Sequence, residues 1–153
     1  MTEIRKATQD DTAALYNMRE AEDGYYERCV AERHVFIAPD AGFVMLNEKP
    51  LYSAYRKLNI PEIQDLYVLP QARGKGVGRH LVEYCEDEAS ALGYETVGIS
   101  VGLHGGFGAA QRLYVRLGYI PDGNGVTYDR EPVKEGERCA IDDGLALMMV
   151  KEL

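Results

Sequence analysis

The chain has 153 residues, 46% apolar and 27% charged, the balance of a soluble globular domain long enough to enclose one core. Its formal net charge of −8 argues against a nucleic-acid partner or an anionic membrane surface, since both need a basic face. No apolar run approaches the roughly 20 residues of a membrane span and the start, Met1–Arg5, has no apolar signal core, so one cytoplasmic domain over residues 1–153 is expected.

In chain order, Thr2–Ala7 predicts a first strand. A helix follows, capped by Asp10 or Asp11, with Ala14, Leu15 and Met18 recurring at three and four. Tyr25–Glu32 predicts a second helix. Val35–Ala38 reads as a strand closed by the turn cluster Pro39-Asp40-Ala41-Gly42. Phe43–Leu46 and Leu51–Arg56 come next, as a strand pair or as one strand interrupted near Glu48-Lys49-Pro50. Glu62–Leu69 is a further strand. Val77, Leu81, Val82, Cys85, Ala89 and Leu92 then repeat at helical spacing, so the main helix spans Val77–Leu92 with Gly93 ending it.

Thr96–Val101 is rich in β-branched residues and predicts a strand. Gly102–Gly108 is a second glycine turn. Ala109–Leu117 is a short helix ended by Gly118, and Tyr119–Gly123 leaves it. Val126–Asp129 and Leu145–Lys151 close the sheet, with a long loop over Glu131–Asp143 between them. The order is that of an α/β protein with a mixed sheet. Cys29, Cys85 and Cys139 are odd in number and widely spaced, which indicates neither a disulfide framework nor a metal site.

The most informative stretch joins the strand Glu62–Leu69 to the main helix: Arg73-Gly74-Lys75-Gly76-Val77-Gly78-Arg79. At a strand–glycine–helix junction backbone N–H groups point outward without partners, and the helix dipole adds partial positive charge. Glycine permits close backbone approach, while Arg73, Lys75 and Arg79 supply full charge. That is a phosphate cradle. A P-loop would need Ser or Thr where Gly76 stands. A dinucleotide fingerprint would need glycine at Arg79 or Leu81.

What fits is R-x-x-G-x-G, as Arg73, Gly76 and Gly78, which resembles the acetyl-CoA signature of the GNAT (N-acetyltransferase) superfamily. Downstream, Ala110-Gln111-Arg112-Leu113-Tyr114-Val115-Arg116-Leu117-Gly118-Tyr119 resembles the second hallmark of that family, A-x-x-L-Y-x-x-x-G-[FY]. The opening strand and helix and the closing strand Leu145–Lys151 are similar too, so the likeness covers nearly the whole chain.

The resemblance implies a mixed, mostly antiparallel central sheet of six to seven strands flanked by about four helices. It also implies acetyl-CoA as cofactor and direct transfer of its acetyl group, in a ternary complex, to a primary amine of a small molecule or peptide. The strand Leu66-Tyr67-Val68 would offer backbone groups to the pantetheine arm, with an oxyanion-stabilising amide near Val68. The amides of Gly74, Lys75, Gly76, Val77, Gly78 and Arg79 would hold the pyrophosphate. Tyr114 would donate to the departing thiolate, being protonated at neutral pH; its alternative is an ordinary amphipathic-helix tyrosine.

An amine acceptor arrives protonated, so a base is needed. Glu62 and Asp65 flank the cofactor strand, and their odd separation predicts opposite faces; each could instead be a solvated strand-end charge. Many relatives carry Asn where this chain has Phe107, which removes one polar cofactor contact; the resemblance then implies backbone amides of Gly105–Gly108 in its place, with Phe107 and Ala110 against the cofactor, and the alternative for Phe107 is an aromatic lid on the core. Tyr25 and Tyr26 fall where family members build the amine pocket. His34, His80 and His104 read as surface or capping residues, with an approach to the cofactor as the alternative for His104, and Cys85 reads as core. The acceptor side, Thr12–Glu32 and Asn124–Asp143, carries no readable signature. Many members of the family pair as homodimers, and no segment of this chain fixes its oligomeric state. The rival reading is a non-catalytic acyl-CoA sensor, which would keep the cradle without needing Tyr114.

Overall fold

A computed structural model describes residues 3–153. It begins with β1 (Arg5–Lys6), α1 (Thr12–Met18), α2 (Tyr25–Glu32), β2 (His34–Ala38) and β3 (Gly42–Asn47). Then come α3 (Ser53–Leu58), β4 (Glu62–Val68), α4 (Val77–Ala91), β5 (Thr96–Gly102) and α5 (Gly108–Arg116). The chain closes with β6 (Ile120–Tyr128), β7 (Glu131–Pro132) and β8 (Leu145–Glu152). It divides into two compact units, Met1–Glu48 with Ile63–Gly93 and Lys49–Glu62 with Tyr94–Leu153.

The first unit orders its strands β1-β2-β3-β4. β1 and β3 both pair antiparallel with β2, His34 facing Leu46 and Ala38 facing Gly42. The β2–β3 turn is tight: Asp40 takes φ 62°. A Cβ on Gly42 would lie 2.3 Å from the Tyr67 carbonyl oxygen, so only glycine lets β3 come this close. β3 is buried at every position, as a strand covered on both faces must be. Leu15, Tyr26, Cys29, Val35, Ile37, Phe43 and Met45 form one core cluster. α4 buries Val77, Leu81, Val82, Cys85 and Ala89, and each Leu or Val so covered contributes about 1.5–3 kcal/mol.

The second unit orders its strands β5-β8-β6-β7, and all three pairings are antiparallel. A bulge between Pro121 and Val126 offsets β6 against β8. Tyr55 is fully buried, and its hydroxyl donates to the Met149 carbonyl at 2.5 Å.

The α/β architecture with mostly antiparallel strands is the expected one, with more elements than the sequence suggests. Leu51–Arg56 is no strand: Tyr52 and Tyr55, three apart, are both buried on one face of α3, and Asn59 ends it in the left-handed region. That supplies a fifth helix. Glu131–Pro132, inside the expected loop, pairs with β6 as an eighth strand. β6 itself starts at Ile120 rather than Val126, because Ile120 and Pro121 already pair with Val150 and Met149. β1 is two residues long, and Thr2 lies outside the described residues. Of the two expected caps, Asp11 is the N-cap residue of α1, but its side chain makes no capping bond to that helix and instead accepts the Thr8 N–H at 2.8 Å and binds Arg5 at 2.8 Å.

Candidate active site

In the first unit β4 runs into a glycine turn and then α4. Gly74 and Gly76 take φ 75° and 85°, and Gly76 is the residue before the first helical turn. No side chain caps that end. The first ladder bond is His80 N–H to Gly76 C=O, so the amides of Val77, Gly78 and Arg79 have no helical acceptor. Gly74, Lys75, Gly76 and Arg79 are exposed. An anion fits here: three amides without a helical acceptor, a helix dipole and the cations Lys75 and Arg79.

Arg73 has a second engagement. Its Nε donates to the Val68 carbonyl at 2.8 Å, and its guanidinium lies 5.6 Å from the centre of the Tyr67 ring. Leu66, Tyr67 and Val68 are half-buried.

Upstream of them Asp65 takes φ 54°, a left-handed conformation uncommon for a non-glycine residue. The parity count that predicts opposite faces for Glu62 and Asp65 assumes extended backbone throughout, so it does not carry past this kink. The Asp65 carboxylate oxygen Oδ2 collects three donors. Tyr25 donates its hydroxyl to it, Arg19 Nη2 stands at 3.5 Å and Arg33 Nη1 at 3.9 Å. Burial and the bond to Asp65 push the Tyr25 hydroxyl well above the ordinary tyrosine range. Tyr26, expected beside it in the amine pocket, is a core residue whose ring packs on Tyr16 and Phe43.

In the second unit Glu62 is wholly buried rather than solvated. Arg130 grips it, Nη2 to Oε2 at 2.6 Å and Nε to Oε2 at 3.1 Å. Tyr114 is 5% exposed, and burial pushes its hydroxyl up to about 12. Phe107 packs its ring on Gly102, where a Cβ would come within 2.2 Å, and on His104 at 4.7 Å between ring centres. His104 is a capping residue, as expected: its Nδ1 accepts the Gly106 N–H at 3.0 Å. Ala110 is half-buried in the first turn of α5, and Gln111 beside it donates to the Gly102 carbonyl at 2.8 Å. A cavity of about 630 Å³ lined by Tyr55, Leu58, Ile120 and Val150 takes one motif residue, Gly118, into its wall and none of the cradle residues or Tyr114.

Sequence reasoning missed Arg19, Arg33 and Arg130. The first two each follow the last residue of a helix, a position where cations favour the dipole, and that was the one available signal. Arg130 stands 68 residues from its partner, with no local signature.

A family model described as an acetyltransferase (GNAT) domain matches residues 29–121. An aminoalkylphosphonate N-acetyltransferase of Salmonella typhimurium is 29% identical over 131 residues, covering 76% of this chain and 84% of that protein. Among solved structures, a phosphinothricin acetyltransferase of Sinorhizobium meliloti in complex with acetyl-CoA aligns with a TM-score of 0.70 at 18% identity, over 99% of this chain and 88% of its own. A ribosomal-protein-alanine N-acetyltransferase of Brucella melitensis aligns with a TM-score of 0.69 at 19% identity, over 99% of both chains.

Proposed function

This chain belongs to the GNAT acetyltransferases, and on that footing we propose that it moves the acetyl group of acetyl-CoA directly to a primary amine of a small molecule or peptide. The uncapped glycine junction at Gly76 carries the reading: it is a preformed anion site built on the residues of the family signature. Acetyl-CoA, when bound, supplies an acyl group activated as a thioester. The chain supplies position and charge. The amides of Gly76 through Arg79, with Lys75, hold the pyrophosphate; Leu66–Val68 extend the hydrogen-bonding edge for the amide-bearing arm. Phe107 and Ala110 complete the cofactor contacts. The two units act as one acetyltransferase domain, in the cytoplasm, and a homodimer is compatible with this scheme.

Tyr114 stays protonated at neutral pH. Burial pushes its hydroxyl up to about 12, so Tyr114 meets the departing sulfur as a donor. An ammonium acceptor sheds two protons on becoming an amide: one goes to a base and one balances the thiolate. Asp65, 26% exposed at its side chain, keeps the solvent access a base requires. Glu62 has no exposed surface and is held by Arg130, so in this reading it positions the start of β4.

The two relatives are named for different acceptor kinds, an aminoalkylphosphonate in one and a ribosomal-protein alanine in the other. The test is amine-dependent thiol release from acetyl-CoA, with wild type and Tyr114→Phe compared and cofactor binding read by calorimetry on both. Turnover that falls at least tenfold in Tyr114→Phe with binding retained supports the scheme. Tight cofactor binding with no turnover on small amines or peptides would return the sensor reading.

A further inference from the structure

We infer that the acceptor carries an anionic group of its own, a few bonds from the amine, and that Arg19 and Arg33 hold that group beside Asp65; this rests on the acetyltransferase reading above. Two guanidiniums share one carboxylate. Both ion pairs, at 3.5 and 3.9 Å, are longer than the 2.8 Å of the Arg5–Asp11 pair, and both point at the oxygen that already accepts the Tyr25 hydroxyl. One positive charge is left over. Among the described residues Asp65 is the one acid in an ion pair with either arginine, and Glu22 pairs instead with Arg28 at 2.9 Å.

The excess charge is also partly withdrawn from water. Arg19 and Arg33 side chains are 32% and 26% exposed. The Arg19 guanidinium faces the Phe43 and Tyr67 rings at 5.2 and 5.7 Å, and Arg33 Nη1 lies 3.8 Å from the Met45 sulfur. Charges in such a setting are screened less than surface charges, and the planar guanidinium fork suits a carboxylate or phosphate. In a chain of net charge −8, a half-buried positive pair selects anions locally against the overall field. A zwitterionic amine satisfies the whole cluster, its anion on the arginines and its ammonium toward Asp65. A diamine would bring a second cation against them.

The probes share a short aliphatic amine and differ in the tail: β-alanine, phosphoethanolamine, propylamine and 1,3-diaminopropane. The measurement is kcat/KM by thiol release, together with calorimetric binding of the same amines without turnover. At least one acidic amine should exceed propylamine by roughly ten- to hundred-fold, the range of one or two charge-assisted hydrogen bonds, and the diamine should fall below propylamine. In Arg19→Gln and Arg33→Gln the acidic-to-neutral ratio should drop roughly tenfold, with partial recovery in Arg19→Lys. Each ratio is internal to one variant, so loss of folded protein cancels. A preference for propylamine or the diamine, or a ratio unmoved in both Gln variants, overturns the inference and leaves the acetyltransferase reading intact. Arginine-dependent binding of an acidic amine without any thiol release does the reverse. Neither turnover nor binding of any amine overturns both.

Discussion

Alanine at Gly76 separates the cradle's backbone from its charges. Gly76 takes φ 85° and Gly93, just beyond the other end of α4, takes φ 94°. A Cβ at either position meets nothing within 4 Å, so substitution adds no clash and only the left-handed backbone resists it. That resistance is about 1–2 kcal/mol for an L-residue. Gly76→Ala and Gly93→Ala should therefore lose similar stability in urea titrations, about 1–2 kcal/mol each. Their binding should differ. At Gly76 a turn that relaxes toward negative φ turns the Val77–Arg79 amides away, and restoring them draws on binding energy. The Kd for CoA should rise roughly 5- to 30-fold, while Gly93→Ala should match wild type. Calorimetry with CoA on both variants decides it. Equal Kd values for the two would refute the claim that the conformation of this turn carries cofactor affinity.

Gly98→Ala would drive a Cβ to within 2.4 Å of the Tyr55 ring, which its bond to Met149 holds in place; overpacking plus a strained buried bond should cost about 2–4 kcal/mol in urea unfolding, and a loss below about 1 would show that the ring gives way. Arg130→Met leaves the buried Glu62 carboxylate uncompensated and should cost about 3–5 kcal/mol, with much of it recovered in Glu62→Gln/Arg130→Met; a double variant no better than the single one would contradict the pairing. Asp11 is lowered from 3.8 to about 2, chiefly by its hydrogen bond from Arg5. A depressed carboxylate stabilises the fold above its unfolded pKa and loses that contribution as pH falls through the folded one. Asp11→Asn should therefore be less stable than wild type above about pH 4 and converge with it near pH 2, and a gap that persists at pH 2 would exclude the linkage.

The cradle was legible in the sequence because it is local. Turn chemistry at Gly74 and Gly76 and the apolar spacing from Val77 onward specify strand, turn and helix without help from distant residues. The family likeness then gave the rest of the order. Leu51–Arg56 misled because a six-residue helix is too short to show a period, and its face is set by Tyr52 and Tyr55 entering a core built from Ile60 and Met148. The kink at Asp65 was invisible for a different reason: a left-handed Asp is held by its tertiary partners, not by its own preference. Glu62 and Arg130 meet across 68 positions, and no pattern in one chain announces a pair so far apart.

Arg19 and Arg33 each occupy the first extended residue after a helix, at φ −148° and −129°. Any side chain adopts such a backbone, and neither residue belongs to the buried core cluster beside it. Exchange at these two positions thus redirects what the enzyme accepts at the expense of the ion pairs to Asp65 rather than of the buried core. Cofactor handling has no such latitude, since Gly42 and Gly76 admit no other residue without a collision or strain. A lineage built this way can drift in acceptor while its acyl donor stays fixed, and two codons suffice to begin.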